Sequence, residues 1–531
     1  MNDTRAPVTA DGSTLTIGDV VAVARDGASV EVPESAREAV RTARQRVEDV
    51  LEAGDAVYGV NTGFGDLADT RIPREDVEAL QANLVRSHAA GAGEAVETEV
   101  VRAMMLARLN TLVKGYSGVR EVVVDHLATM LEEGIHPVVY THGSLGASGD
   151  LAPLAHMALV LIGEGEAEVT RAGETVRLPG DAALAEANLE PLTLRPKEGI
   201  ALINGTQLTV GMAALLVHDA RRALRAADVA GALTTEVTMS TTATSDPMLH
   251  AVRPHDGQQA SARNVKRLTA GSAIVESHRN CDRVQDPYSI RCLPQVHGAV
   301  RDAIDHLASA VEVELNSATD NPLVFPAEQV DDRASGTDAA AILSGGNFHG
   351  EPLALRLDYL TAALGELAAI AERRIDRLLN PHVQEAHLPP FLAGSSGVES
   401  GLMLAQYTAA SMVDEVRSLG RPSLDNVPVS GNQEDHVSMS AQSAFHARRG
   451  ADAATTVVGL ELLCAAEAAR YVDDELDPGR GTGAAIDALR EEVAPLDGDR
   501  PLYRDIERAS DLIADGSLLE AVHTALDERL E

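Results

Sequence analysis

Ala147-Ser148-Gly149, inside the run GSLGASGDLAPLAH from Gly143 to His156, is the stretch of this sequence with the most unusual chemistry open to it. Two small residues flank a serine, so nothing bulky shields the backbone between them. In a tight bend the Gly149 nitrogen faces the Ala147 carbonyl carbon, and attack there closes a five-membered ring. Loss of one water from that ring, and of the Ser148 hydroxyl as a second, leaves an exocyclic methylene conjugated with the ring. That is a strong electrophile. Glycine suits the attacking nitrogen because it leaves the approach open and tolerates unusual dihedrals; alanine keeps the attacked carbonyl uncrowded. The next residues read as a helix start, with Asp150 as N-cap, Pro153 in the first turn, and Leu151, Leu154, Ala158 and Leu161 at helical spacing. The tripeptide is thus expected at a helix mouth, where unpaired N–H groups and the positive dipole end stabilise negative charge. Ala-Ser-Gly alone is equally what a small-residue loop looks like.

Other residues with chemical potential are scattered along the chain. Tyr58 lies in VYGVNTGFGDLADTRI beside the Gly63/Gly65 loop, a setting that serves packing as readily as catalysis. GFGDLA lacks the βαβ frame of a dinucleotide site. Ser87-His88 ends a helical pattern, where a histidine is ordinarily a cap or surface residue. Asn204 in INGTQ precedes a helix, either as a cap or as a side chain aimed into a site. In QDPYSIRCLPQVHG, Gln285, Tyr288 and Arg291 share a proline-punctuated turn. Tyr288 and Arg291, three apart, fall on one side of it, offering a hydroxyl and a planar fork for a carboxylate. Glu434 and His436 could suggest a metal pair, but no third ligand sits at a recognisable spacing, so no metal is expected.

The fourteen-residue run Gly143–His156 resembles the signature of the aromatic amino-acid ammonia-lyases, and further matches follow in family order from Tyr58 to His436. The resemblance implies a 4-methylidene-imidazol-5-one formed autocatalytically from Ala147, Ser148 and Gly149, with no metal and no pyridoxal phosphate. It implies Tyr58 as the base that takes the β-proton, and Asn204 with Tyr288 as stabilisers of negative charge. Arg291 would hold the substrate carboxylate. His88 would orient the substrate ring, with Glu434 accepting its N–H or moving protons nearby, and Gln285 and Phe348 would complete the wall. Ser87-His88 goes with the histidine-specific branch, so the expected reaction turns L-histidine into urocanate and ammonia. A buried glutamate facing a plain benzene ring would be left unpaired at a cost of several kcal/mol. Tyrosine or phenylalanine lyases and aminomutases are the runner-up. The chemistry explains why such a set is needed together. The β-proton is barely acidic and ammonia leaves poorly, while side-chain acid–base catalysis alone supplies about 10²–10⁴-fold. An electrophile that binds the amine makes up the difference.

The elements that must position these residues are mostly helices. A polar helix is expected over Glu34 to Ala53, a helical pattern from Glu75 through Leu84, two helices within 97–135, and a hairpin around Ala172-Gly173. Val300, Ile304, Leu307 and Val311 form one heptad-like stripe, and Leu353, Leu357, Leu360, Leu364, Leu367, Ala371 and Leu378 a longer one. Stripes of that length mean helices packed lengthwise. Further helices are expected over Leu402 to Leu419 and from about Ala441 to Tyr471, and Phe348 is carried to a helix start by SGGNFHGEP. The expected fold is mainly α, a long helical bundle (111–531) with a smaller mixed α/β N-terminal portion (1–110). The resemblance adds a fumarase/aspartase-like architecture and a homotetramer whose sites draw loops from several subunits.

Composition narrows the partners. With 44 basic and 81 acidic residues among 531, the net charge is −37, which disfavours nucleic acid. Lysine occurs only at positions 114, 197 and 266. Abundant carboxylates with almost no lysine suggest a halophilic, high-salt cytoplasm, where salt screens their repulsion. Equal stability and activity in dilute buffer would contradict that. The three cysteines lack metal-type spacing and point to a reducing compartment. No secretory signal is read at the start, and no apolar run approaches the ~18 residues of a membrane span. Rival chemistries fit poorly. A serine hydrolase wants G-x-S-x-G, from which GASGD is offset, and a pyridoxal enzyme needs one of three lysines as its Schiff base.

Overall fold

The structure is a computed structural model and describes residues 6–53, 77–171, 174–279, 283–331, 335–337, 340–424 and 426–531. It is mainly helical with a few short strands, as the apolar periodicity requires. Four helices dominate: Gln207–Val237, Leu293–Leu315, Glu351–Leu379 and Ser440–Ala468. All seven residues of the long stripe, from Leu353 to Leu378, are buried. The polar helix Glu34–Ala53 buries Ala36, Val40, Ala43, Val47 and Val50, one side of an otherwise charged cylinder.

The chain divides into two compact units of interleaved segments. The first comprises Met1–His218, Leu307–Asp358 and Arg421–Phe445; the second comprises Asp219–His306, Tyr359–Gly420 and His446–Glu531. This division runs along different lines from the cut near residue 110 drawn from sequence. The long helices leave one unit and enter the other, so no single point in the sequence separates the two.

The first unit holds the strands. Glu166–Arg171 and Glu174–Pro179 pair antiparallel in the expected hairpin, whose tip residues lie outside the described set, and Ile135–Pro137 extends the sheet. At its centre is Thr98–Val113, in which every residue from Ala103 to Val113 is buried, Arg108 and Asn110 included. Asn110 ties this helix to two distant segments, donating to the Leu315 carbonyl at 2.9 Å and accepting from the Gly12 amide at 2.8 Å. Arg102 on the same helix donates to the Val23 and Leu131 carbonyls and, at 2.8 Å, to Nε2 of buried His136.

That last contact has a measurable consequence. Burial, aided by the Arg102 charge, pushes His136 from 6.5 down to about 4, so it stays neutral and accepts. The unfolded chain binds this proton near pH 6.5 and the folded chain only near 4. Stability from this residue is therefore complete above pH 6.5 and is lost as pH falls towards 4, amounting to about 3 kcal/mol. His136→Gln should flatten that part of the pH dependence, read as urea midpoints of variant and parent at pH 7 and pH 5.

The second unit is held from within by buried charge. Arg374 and Glu461, both fully buried, form a two-pronged pair at 2.6 and 2.8 Å, and Thr234 donates to the same carboxylate. Nδ1 of His297 donates to Asp228 at 2.8 Å, and its Nε2 accepts from Arg374 at 3.3 Å. Burial, with the Arg374 charge, lowers the pKa of His297, so this ring too stays neutral. Burial alone would raise Asp228, but the His297 hydrogen bond and the Arg301 charge outweigh it and hold the carboxyl below its ordinary value. Among the described residues no helix is long and apolar enough to cross a membrane.

Candidate active site

The loop from Gly143 to Asp150 is fastened by segments far from it in sequence. The Gly146 carbonyl accepts from the Gly350 amide at 2.9 Å and from the Ser438 hydroxyl at 3.1 Å. The Leu145 carbonyl accepts from the Met439 amide at 2.8 Å, and the Asp150 amide donates to the Gly205 carbonyl at 2.6 Å. Gly149 adopts φ 73° and forms an isolated parallel bridge with Gly205. A Cβ on Gly149 would stand 2.1 Å from the Gly205 oxygen, so no other residue fits. Gly149→Ala should cost about 3 kcal/mol in strain and overlap and should displace the nitrogen on which ring closure depends. Urea titration reads the first effect and the intact mass of the purified chain the second.

Ser148 is gripped at both ends. Its main-chain oxygen accepts from Nδ2 of Asn204 at 2.8 Å, and its hydroxyl donates to Oε1 of Glu434 at 3.0 Å. Asn204 is buried and its Oδ1 has no hydrogen-bond partner among the described residues. The close Gly149–Gly205 approach, buried Ala147 and the orphaned Asn204 oxygen fit a group built from this tripeptide: a flat ring needs a site without Cβ bulk and with a polar atom to spare.

Helix Leu151–Leu161 begins where the sequence predicts, but Asp150 does not cap it with its side chain. Its φ, ψ of −92°, 56° turn the carboxylate away. It accepts from the Thr209 amide at 2.9 Å, the Thr209 hydroxyl at 3.1 Å and the Ser144 hydroxyl at 2.8 Å. Burial raises its pKa, and these three donors counter that. Below the loop, fully buried Arg108 donates to the carbonyls of Asn204 at 2.7 Å and Ala201 at 3.0 Å. Burial lowers its pKa to about 10, still charged at neutral pH. Glu314 accepts from the Thr206 hydroxyl at 2.6 Å, and burial followed by the Asp150 charge raises its pKa. Sequence reasoning missed Arg108, Asp150 as a buried carboxylate, Glu314 and Ser438. The only sequence signal was an arginine inside an otherwise apolar helical run, ARLN.

The remaining candidates fall into separate places. Tyr58 lies outside the described residues. His88 is the last residue of helix Val77–His88, half-buried, its Nδ1 2.8 Å from the Leu84 carbonyl and 3.1 Å from the Ser87 hydroxyl. Phe348 is half-buried in the turn before Glu351–Leu379. Its neighbour His349 stacks on His436 at 5.7 Å and 7°. Gln285, Tyr288 and Arg291 cluster in the second unit. The Arg291 guanidinium lies 5.1 Å from the centre of the Tyr288 ring and donates to Oε1 of the Gln285 side chain. The structure thus joins Ser148, Asn204 and Glu434 in one group and Gln285, Tyr288 and Arg291 in another. Among the described residues no three His, Cys, Asp or Glu side chains are grouped to hold a metal ion.

Residues 15–491 match the profile of the aromatic amino acid lyases. The chain belongs to this family. Lyase relatives are similar over nearly the full length. A protein of Halobacterium salinarum described as a probable histidine ammonia-lyase is 63% identical over 98% of this chain and 99% of its own. Among solved structures, tyrosine aminomutase from Streptomyces globisporus is 37% identical with a TM-score of 0.91, covering 99% of this chain and 100% of that one. Histidine ammonia-lyase from Trypanosoma cruzi is 36% identical with a TM-score of 0.88, covering 98% and 96%. The lyase family's shared fold is therefore present along essentially the whole molecule.

Proposed function

We propose that this chain is a carbon–nitrogen lyase that removes ammonia from L-histidine and releases urocanate. One observation carries the choice of substrate: a carboxylate, Glu434, stands 3.0 Å from the hydroxyl of the central serine. Glu434 is half-buried and not fully buried as the sequence led one to expect; an imidazole N–H can still donate to its carboxylate, and a benzene ring has no such donor. The 63% identity to a relative described as a probable histidine ammonia-lyase supports the same reading.

Ala147, Ser148 and Gly149 would form the methylidene-imidazolone, with Asn204 and the Gly205 backbone holding it. When present, that group supplies an electrophile for the substrate amine. The chain's own residues do the rest. Tyr58 takes the β-proton at its phenolic oxygen, and Arg291 binds the substrate carboxylate through its planar fork. His88, its Nδ1 beside the Leu84 carbonyl, orients the substrate ring. Glu434 accepts the ring N–H or moves protons nearby, Asn204 and Tyr288 stabilise negative charge, and Gln285 and Phe348 close the wall.

The chain is read as a cytoplasmic homotetramer suited to concentrated salt. Exposed Leu404 and Tyr407, three apart on helix Met403–Ser418, support self-association, and the net charge of −37 supports the salt preference. Incubation with histidine, tyrosine and phenylalanine in turn, followed by ultraviolet detection of the conjugated acrylate, tests the substrate. Urocanate from histidine is the expected result. Coumarate or cinnamate as the main product, or a β-amino acid in place of an acrylate, would replace this reading with the lyase or aminomutase alternative.

A further inference from the structure

We propose that Glu434 acts before any substrate arrives, as the proton carrier that lets the Ser148 hydroxyl leave during formation of the cofactor. The inference rests on the proposed function in one respect, that Ala147-Ser148-Gly149 condenses at all. The Ser148 hydroxyl exists only before condensation, so a group bonded to it is placed to act on the precursor. Its Oγ disappears on maturation, and a group hydrogen-bonded to that atom touches the leaving atom itself. Oε1 of Glu434 is that group, at 3.0 Å.

The surroundings keep this pair aligned. Asn204 fixes the Ser148 main-chain oxygen at 2.8 Å. Glu434 is held by its own backbone, its carbonyl accepting from the Val429 amide at 3.0 Å. The next residues along, Ser438 and Met439, fasten the 145–146 backbone directly. The segment carrying Glu434 is therefore anchored to the loop carrying Ser148.

The step balances as follows. The Gly149 nitrogen attacks the Ala147 carbonyl carbon and a C–N bond forms. The Ala147 oxygen leaves as the first water with the protons of the Gly149 and Ser148 nitrogens. In the second loss the Ser148 Cα–H and Cβ–Oγ bonds break and the Cα=Cβ bond forms. The Glu434 carboxylate takes the proton released from Cα and hands it to Oγ, which departs as water, so Glu434 ends the step as it began it. A hydroxide is a poor leaving group and water a good one, so proton delivery at this oxygen is worth about 10²–10⁴-fold in rate.

Glu434→Gln separates this role from a merely structural hydrogen bond. The amide still accepts the Ser148 hydroxyl through its carbonyl oxygen, yet cannot hand over a proton. Full-length E434Q is purified, its fold is read by far-UV circular dichroism and size, and its intact mass and the mass of peptide 140–160 are compared with the parent. The expected result is a folded chain that retains the Ser148 oxygen, at most one water lighter than its translated mass, with E434D between it and the parent. A folded E434Q that has lost both waters as completely as the parent overturns the proposal. Should E434Q fail to fold, newly synthesised E434D is followed over time; loss of the second water at the parent's rate overturns the proposal, and slower loss supports it. Mass does not depend on which amino acid is the substrate. A parent chain that has lost no water would instead sink the condensation on which both readings stand.

Discussion

Ser148→Ala should fold normally and turn over histidine at least about 10³-fold more slowly than the parent, the scale on which loss of a covalent participant registers. Among the described residues the Ser148 hydroxyl donates to Glu434. The backbone fastenings to Gly205, Gly350, Ser438 and Met439 do not involve its hydroxyl. Stability should therefore change by no more than about 1 kcal/mol, the net worth of one hydrogen bond. What is lost is the atom whose departure creates the electrophile in the proposed condensation. Urocanate formation measures the first effect, a urea titration the second, and intact mass reports whether the waters have gone. Near-normal turnover by this variant would end the lyase assignment.

Glu461→Ala should be among the most damaging single changes elsewhere in the molecule, lowering stability by about 3–5 kcal/mol. Arg374 would keep its charge in a fully buried position with its principal partner gone. The Thr234 hydroxyl would lose its acceptor as well, and the His297–Asp228 link beside Arg374 would face an unbalanced cation. The cost arises from the orphaned charge and not from the absence of attraction. Replacing both members, as in R374M together with E461L, should recover much of the loss because an apolar pair of similar volume fills the space without needing a partner. Urea midpoints for the single and double variants decide between these accounts. A double variant no more stable than Glu461→Ala alone would show that the charges are needed for more than pairing.

The helices were largely legible from the sequence because each is decided by local periodicity. Glu34–Ala53 and the paired strands ending at Arg171 and beginning at Glu174 come out where alternation and turn residues place them. The junction after Ala147-Ser148-Gly149 was legible for the same reason, since small residues followed by an apolar helical pattern mark a loop entering a helix, and Leu151–Leu161 is that helix. Asp150 shows where such reasoning fails. Local rules make it a helix cap, but the Thr209 amide and two hydroxyls compete for its carboxylate and prevail. Those donors come from a different helix and from the preceding loop, so a capping rule cannot weigh them. Arg108 fails in the same way. Its partners are carbonyls at 201 and 204, nearly a hundred residues away, and backbone oxygens leave no mark in a sequence. The interleaving of two units through shared helices is also invisible to a reading that expects domains to follow one another.

With the condensation proposed for Ala147-Ser148-Gly149, the fastenings of the Gly143–Asp150 loop would make the molecule a record of its own history. Residues 205, 350 and 438–439, each distant along the chain, must already be in place before the tripeptide can be bent. A polypeptide that never reached its native arrangement cannot close the ring, and one that reached it and later unravelled keeps the altered backbone. Weighing an unfolded sample should therefore distinguish chains that once folded from chains that never did.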